Sequence, residues 1–382
     1  MAYHFSGRLM RFVSTALTLA AFAGSAQAAV GDKLDLSGLI KLPTEDWSTG
    51  LSRVYSPANA NQPDLMWRSS WTAAGDAAGP AAIGQSVMSG KPYGHSNSRV
   101  ANDGPTSATA LHYNPFSIIT RPNGSKALRI TPKYLANPAD RAKVWGYPVV
   151  SGELSTAGKN VNSGGGLEFY AANYSVTVYR GVRLPKALWA ALWKYSRADY
   201  GGGGLTEIDL LETMRGNWPK QIWLSLHSND DAWRQALIAN PKPYTGHLTQ
   251  WAGPNAASLQ YAGLSGKDPH ALHDWALVVG PKVVQWALDG VVVFELPTPK
   301  DVGPKMHHDI IDLDYGTDLP APTSQADLDA FEIGPIERYS YPGLSHVRWQ
   351  QKEAGDGGAI AGAHRLSGVN VQQRGAAPTK KP

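Results

Sequence analysis

Short runs of apolar, β-branched and aromatic residues, each closed by Gly, Pro, Asn or Asp, recur along the chain and predict strands rather than helices. The clearest are YSVTVYRGVRL (174–184), IWLSLH (222–227), WALVV (275–279), VVQWAL (283–288), VVVFEL (291–296) and FEIGPIERY (331–339). Ser117–Thr120 and Ala127–Ile130 flank the turn RPNGSK, whose Asn-Gly pair predicts a hairpin. Asp289-Gly290 predicts a second hairpin between 283–288 and 291–296. Many short strands with few helical periods predict an all-β sandwich.

Three segments depart from this pattern. Arg8 and Arg11 precede an apolar run from Phe12 to about Gly24, and Ala26-Gln27-Ala28 follows. That order is the one of a secretory signal peptide, so residues 1–28 are expected to be removed and the chain to be secreted or periplasmic. The run is short for a membrane span, and no membrane association is expected. Residues 228–270 form a long insertion rich in Asn, Pro, Gly and Trp, with a short helix expected near Ala232–Ala239. Residues 350–382 are rich in Gly, Ala, Gln and Lys and are expected to be a mostly disordered basic tail. Residues 29–349 are then one domain.

One polar stretch sits oddly in an apolar context. EIDLLE (207–212) carries Glu207, Asp209 and Glu212. As a helix, Thr206 with Asp209 loosely fits a cap, and Ile208, Leu211 and Met214 form a stripe. Gly216 and Pro219 would stop such a helix within about three turns. As a regular strand, Glu207 and Asp209 share one face and Glu212 points to the other. A β-bulge near Leu210 or Leu211 would return Glu212 to the face of Glu207. Retaining glycoside hydrolysis requires two carboxyl groups close together, a nucleophile and an acid/base, and an aspartate between them can bias their pKa values apart.

Composition removes other chemistries. The chain has no cysteine, hence no disulfide, thiolate nucleophile or Cys-ligated zinc. Its net charge of +4 is a property of its ends. Two of the 35 Lys/Arg lie in the leader and five follow residue 349, against two of the 31 acids, so residues 29–349 are close to neutral. No nucleic-acid footprint is expected.

EIDLLE resembles the bulged E-x-D-x-x-E signature of glycoside hydrolase family 16, shared by laminarinases, agarases and κ-carrageenases. Four further segments are similar to family segments in the family's order: SGELSTAGK (151–159), LPKALWAALW (184–193), HDWALVVGPKVVQWALDG (273–290) and MHHDIIDLDYG (306–316). The strand around Phe331–Tyr339 resembles the family's closing strand. The resemblance implies a concanavalin-like β-jelly roll with a cleft across its concave face. It implies Glu207 as nucleophile, Asp209 as helper, Glu212 as acid/base, and His227 beside the acids. It also leaves room for a structural calcium, with no ligands identifiable.

The expected function is endo-acting, retaining hydrolysis of a β-linked polysaccharide by a monomer, with β-1,3-glucan as substrate and no cofactor. The alternatives are another polysaccharide, such as a galactan or an exopolysaccharide, or a lectin-like binder without catalysis. Trp189 and Trp193 are candidates to stack on sugar faces, and Trp218, Trp233 and Trp251 are further candidates near the cleft. His307-His308-Asp309 and His270-x-x-His273 suggest metal ligation only weakly, because adjacent strand histidines face opposite ways and no further ligands are evident.

Overall fold

The computed structural model describes residues 28–52, 54–55, 66–68, 113–142, 148–156, 170–186, 188–196, 206–213, 222–239, 257–262, 267–314, 322–349 and 364–367. The expected leader, apart from Ala28, lies outside these residues, as does most of the expected tail. Among the described residues no helix is long and apolar enough to cross a membrane.

Two sheets face each other, antiparallel except for one parallel pair, Val54–Tyr55 with Trp67–Arg68. One has the strand order β1 (Ile40–Lys41), β20 (Ile336–Ser340), β10 (Ser175–Val182), β15 (His273–Val279), β16 (Val283–Leu288), β17 (Val291–Pro297). The other runs β14 (Ala257–Ala262), β13 (Trp223–Ser228), β12 (Glu207–Glu212), β11 (Trp189–Ser196), β18 (His307–Asp314), β8 (Gly152–Ser155), β3 (Trp67–Arg68), β2 (Val54–Tyr55). Beside it, β9 (Tyr170–Ala172) pairs with β18 and with β21 (His346–Trp349), which in turn pairs with β22 (His364–Ser367). Two small sheets, β19 (Phe331–Ile333) with β5 (Lys126–Ile130) and β4 (Phe116–Thr120), and β6 (Lys133–Tyr134) with β7 (Val149–Val150), complete the strands. The helices α1 (Pro138–Ala142) and α2 (Asp231–Ala239) are short. This is an all-β jelly-roll sandwich, as expected.

The sheets meet through alternating residues. Leu192, Ile208, Leu210, Leu211, Leu226, Val284, Trp286, Leu296 and Ile311 share one buried cluster between them. The first sheet is covered on its outer side as well. There Leu34, Leu36 and Leu39 pack over Val176, Val178, Ala276 and Val278. Burial on both faces explains why β10 and β15 read as near-continuous apolar runs. The outer face of the second sheet over β11–β13 carries the polar cluster described below.

Both expected hairpins form. At the second, Asp289 and Gly290 take φ of 52° and 76°, the left-handed pair that a two-residue turn with the strands' own twist requires. FEIGPIERY differs from expectation: it is not one strand but two, in different sheets. Gly334 is the break. A Cβ there would lie 2.3 Å from the Arg180 carbonyl oxygen, and Pro335 follows. Within the 228–270 insertion α2 forms near the start, and β14 pairs with β13 at the sheet edge.

Candidate active site

The strand β12 is pinned to β11 at both ends. Thr206 donates its N–H to Ser196 Oγ at 2.8 Å, and Thr213 Oγ1 bridges the Leu188 carbonyl (2.7 Å) and the Ala190 N–H (2.8 Å). Between these clamps β12 has one residue too many. Against β13 the pairing steps from Asp209↔Ser225 to Glu212↔Trp223, and against β11 from Trp193↔Asp209 to Leu192↔Leu211. Leu210 and Leu211 both turn to the core, and the extra residue forms the bulge at the position that parity required. Glu207, Asp209 and Glu212 therefore share the outer face.

Register identifies the rest of that face. Glu207 lies between Tyr195 and His227, Asp209 between Trp193 and Ser225, and Glu212 between Ala191 and Trp223. Trp189 and Trp193 are half-buried on the same face, where the sequence placed them. Trp193 donates its indole N–H to Asp312 at 2.9 Å and meets Tyr195 edge-on at 5.7 Å. Sequence reading missed Tyr195, Trp223, Ser225 and Asp312. The signal was available: Tyr195 keeps step with Trp189 and Trp193, and Trp223 and Ser225 keep step with His227.

The four ionisable groups differ in access. Glu207 is 25% exposed, whereas Asp209 is 2% exposed and Glu212 lies buried. Of the three carboxylates Glu207 is thus the most accessible. His227 Nε2 lies 3.2 Å from Asp209 Oδ2 and 3.7 Å from Glu207 Oε1.

Burial raises Glu207 from the usual glutamate range to about 7; the Asp209 charge adds to the rise, and His227 opposes it. Burial also raises Glu212 well above its ordinary value, reinforced by Asp209, Glu207 and Asp312 and opposed by the Trp189 indole. For His227, burial favours the neutral ring, but the Asp209 hydrogen bond and the charges of Glu207 and Asp209 outweigh it and lift it to about 9. Glu207 thus ionises near neutral pH, Glu212 keeps its proton to higher pH than an ordinary glutamate, and His227 stays a cation to higher pH than an ordinary histidine. One glutamate can attack while the other donates.

Glu207, Asp209 and His227 also offer three ligand atoms within 4.8 Å of one another, the one such grouping among the described residues. The histidine pairs elsewhere make other contacts. His307 and His308 face opposite sides; His307 is fully buried, bonded to Thr206 Oγ1 at 2.7 Å, and driven to about 3 by burial and by Lys194 and Lys305. His273 pairs with Asp289 at 3.0 Å. Trp233 is a correction: it is not at the cleft but 8% exposed in the core, donating to the Pro297 carbonyl at 2.6 Å, because α2 turns its apolar side inward. Trp218 and Trp251 lie outside the described residues.

No protein-family model and no curated protein matches the sequence. Solved structures do match. One is a non-specific endo-β-1,3(4)-glucanase of glycoside hydrolase family 16, crystallised with a glucan oligosaccharide at its active site; it is 14% identical, with a TM-score of 0.52 over 82% of this chain and 97% of that one. The laminarinase catalytic domain of Thermotoga maritima is 19% identical, with a TM-score of 0.39 over 58% of this chain and 80% of that one. A family 16 endo-glucanase of Bacteroides ovatus is 14% identical, with a TM-score of 0.40 over 59% and 85%. The likeness is one of fold: this chain has the jelly roll seen in family 16 endo-glucanases.

Proposed function

We propose that this protein is a secreted, endo-acting retaining glycosidase that hydrolyses a β-linked polysaccharide, with a β-1,3-glucan backbone as its substrate. The observation that carries the reading is the bulge in β12. It brings Glu207, Asp209 and Glu212 to one face, where burial and their mutual charge raise both glutamates above the ordinary range. A binding module has no use for a strained register that gathers carboxylates in a partly dry site.

In this reading Glu207 attacks the anomeric carbon while Glu212 protonates the departing oxygen. Glu212 then removes a proton from water, which displaces Glu207 and restores the anomeric configuration. Asp209 keeps the Glu207 side of the site poised and holds His227 as a cation, which limits the charge that three carboxylates would accumulate. Trp189, Trp193 and Tyr195 offer ring surface to the apolar side of a pyranose. Trp223 Nε1 and Ser225 Oγ are buried on the same face with no partner among the described residues, and sugar hydroxyls would satisfy them.

The near-neutral domain supports an uncharged glucan over a sulfated galactan, which would call for Arg and Lys along the cleft. Structures of the same fold include enzymes named as laminarinases and endo-1,3(4)-glucanases. The test is a reducing-end assay over laminarin, lichenan, agarose, carrageenan and bacterial exopolysaccharides. Laminarin is expected among the best substrates. Cleavage of agarose or carrageenan with laminarin untouched would reject the glucan assignment.

A further inference from the structure

A bulged strand is not self-supporting. The extra residue weakens the ladder on both sides, and a strand that slips by one residue would turn Glu212 away from Glu207. The clamps at Thr206 and Thr213 fix the ends of β12 but not the peptide where the bulge opens. That peptide is held from the other sheet. Trp286, on β16 and fully buried, donates its indole N–H across the core to the Asp209 carbonyl oxygen at 2.7 Å.

Trp286 is itself braced. Its ring lies 5.0 Å from that of Phe294. The β16–β17 ladder slips immediately after it, from Trp286↔Phe294 to Ala287↔Val292. An irregularity in one sheet thus backs the irregularity in the other, and a hydrogen bond joins them.

We infer that Trp286 is a positioning residue for catalysis: its hydrogen bond to the Asp209 carbonyl fixes the bulge and so the placement of Glu212 relative to Glu207. This deepens the glycosidase reading and rests on it for its kinetic consequences, though the clamp itself can be read without substrate. The side chain of Asp209 meets His227 on the outer face while its carbonyl meets Trp286 in the core, so one residue ties the acid cluster to the opposite sheet.

The test is Trp286→Phe, which keeps an aromatic ring and removes the N–H. Losing one buried hydrogen bond at the bulge is expected to lower kcat about five- to tenfold with KM little changed. With the glutamates less tightly held together, their mutual repulsion eases, and the alkaline limb of the pH–kcat profile moves to lower pH. Amide hydrogen exchange provides the substrate-free reading: Leu210 and Leu211 are expected to exchange about tenfold faster, with the amides of β15 unchanged. Exchange that rises uniformly, or not at all at Leu210 and Leu211, overturns the clamp. So does an active variant whose kcat and pH limbs match wild type while only Tm falls, since a purely structural tryptophan would behave that way. If the phenylalanine variant does not fold, a benzothiophene analogue of this one indole, with sulfur for N–H, gives the same readings. Wild-type inactivity on every β-glucan would reject the function but leave the exchange result to decide the clamp.

Discussion

Two clusters of buried charge lie on opposite faces of the same sheet, and they are built to opposite ends. On the core face, Asp309 of β18 receives Lys194 of β11 on one oxygen and Arg338 Nε on the other at 2.7 Å. Arg338 is sandwiched between Trp67 and Tyr170, 5.4 and 4.7 Å from their ring centres. On the cleft face three carboxylates gather, and Glu207 and Asp209 share the one imidazole of His227. Burial opposes ionisation in both places. In the core the two cations outweigh it and hold Asp309 below the usual aspartate range. In the cleft like charges reinforce it and drive Glu207 and Glu212 upward. A charge cluster that serves stability is paired oxygen for oxygen; one that serves chemistry is left short of cations so that a proton settles the difference.

Substitution at each cluster should separate the two roles, and the largest effect belongs to the cleft. Glu207→Gln and Glu212→Gln are each expected to cut turnover by about 10³-fold or more, with the fold and polysaccharide binding kept. At pH 8 Glu207→Gln should melt no lower than wild type, because it replaces a poorly tolerated charge. Glu207→Gln with full activity would remove the nucleophile assignment. Conversely, Asp309→Ala is expected to lose about 3–5 kcal/mol in chemical unfolding, since it strands two buried cations. Retained stability there would mean that the core cluster is not paired as described.

The pH dependence of stability sharpens the contrast. Glu207 is raised on folding from 4.5 to about 7, so its contribution is present below 4.5 and lost as pH rises to about 7. His227 is raised from 6.5 to about 9, so its contribution is present below 6.5 and lost as pH rises to about 9. Asp309 is lowered, so its contribution is present above 3.8 and lost only as pH falls below that value. The contributions of Glu207 and His227 should thus decline between pH 4.5 and 9, each by at most about 1.4 kcal/mol per pH unit, while His307, lowered on folding from 6.5 to about 3, opposes that decline below pH 6.5. Glu207→Gln should flatten the lower half of that decline and His227→Gln the upper half. A slope unchanged in both variants would contradict the assignment.

The smallest expected effect is at the rim. Trp193→Phe keeps a ring for stacking and loses the hydrogen bond to Asp312, which should lower kcat/KM by about fivefold.

The cleft cluster was far more legible in the sequence than the core one. Acids at 207, 209 and 212 conflict with a period of two, and a conflict of that kind has a nameable remedy, so the bulge at Leu210 or Leu211 could be placed beforehand. His227 followed by resemblance. Lys194, by contrast, reads as an ordinary polar position in WAALWKYS. Its partner Asp309 is 115 residues away and Arg338 is in the other sheet, and pairing over that span leaves no local trace. Trp233 misled for the same reason, since an aromatic in a polar insertion does not reveal which side of a short helix will be buried. Trp286 looked like one more apolar strand residue. Only the register of the opposing sheet gives its N–H an acceptor.

The most direct test of the central claim is to trap the glycosyl-enzyme. Incubation with a 2-fluoro-2-deoxy β-glucosyl donor carrying an activated leaving group, followed by peptide mass mapping, should find the sugar attached to Glu207 and turnover blocked in proportion. Labelling of a different carboxylate, or no label in an enzyme that hydrolyses laminarin with release of the α-anomer, would contradict it.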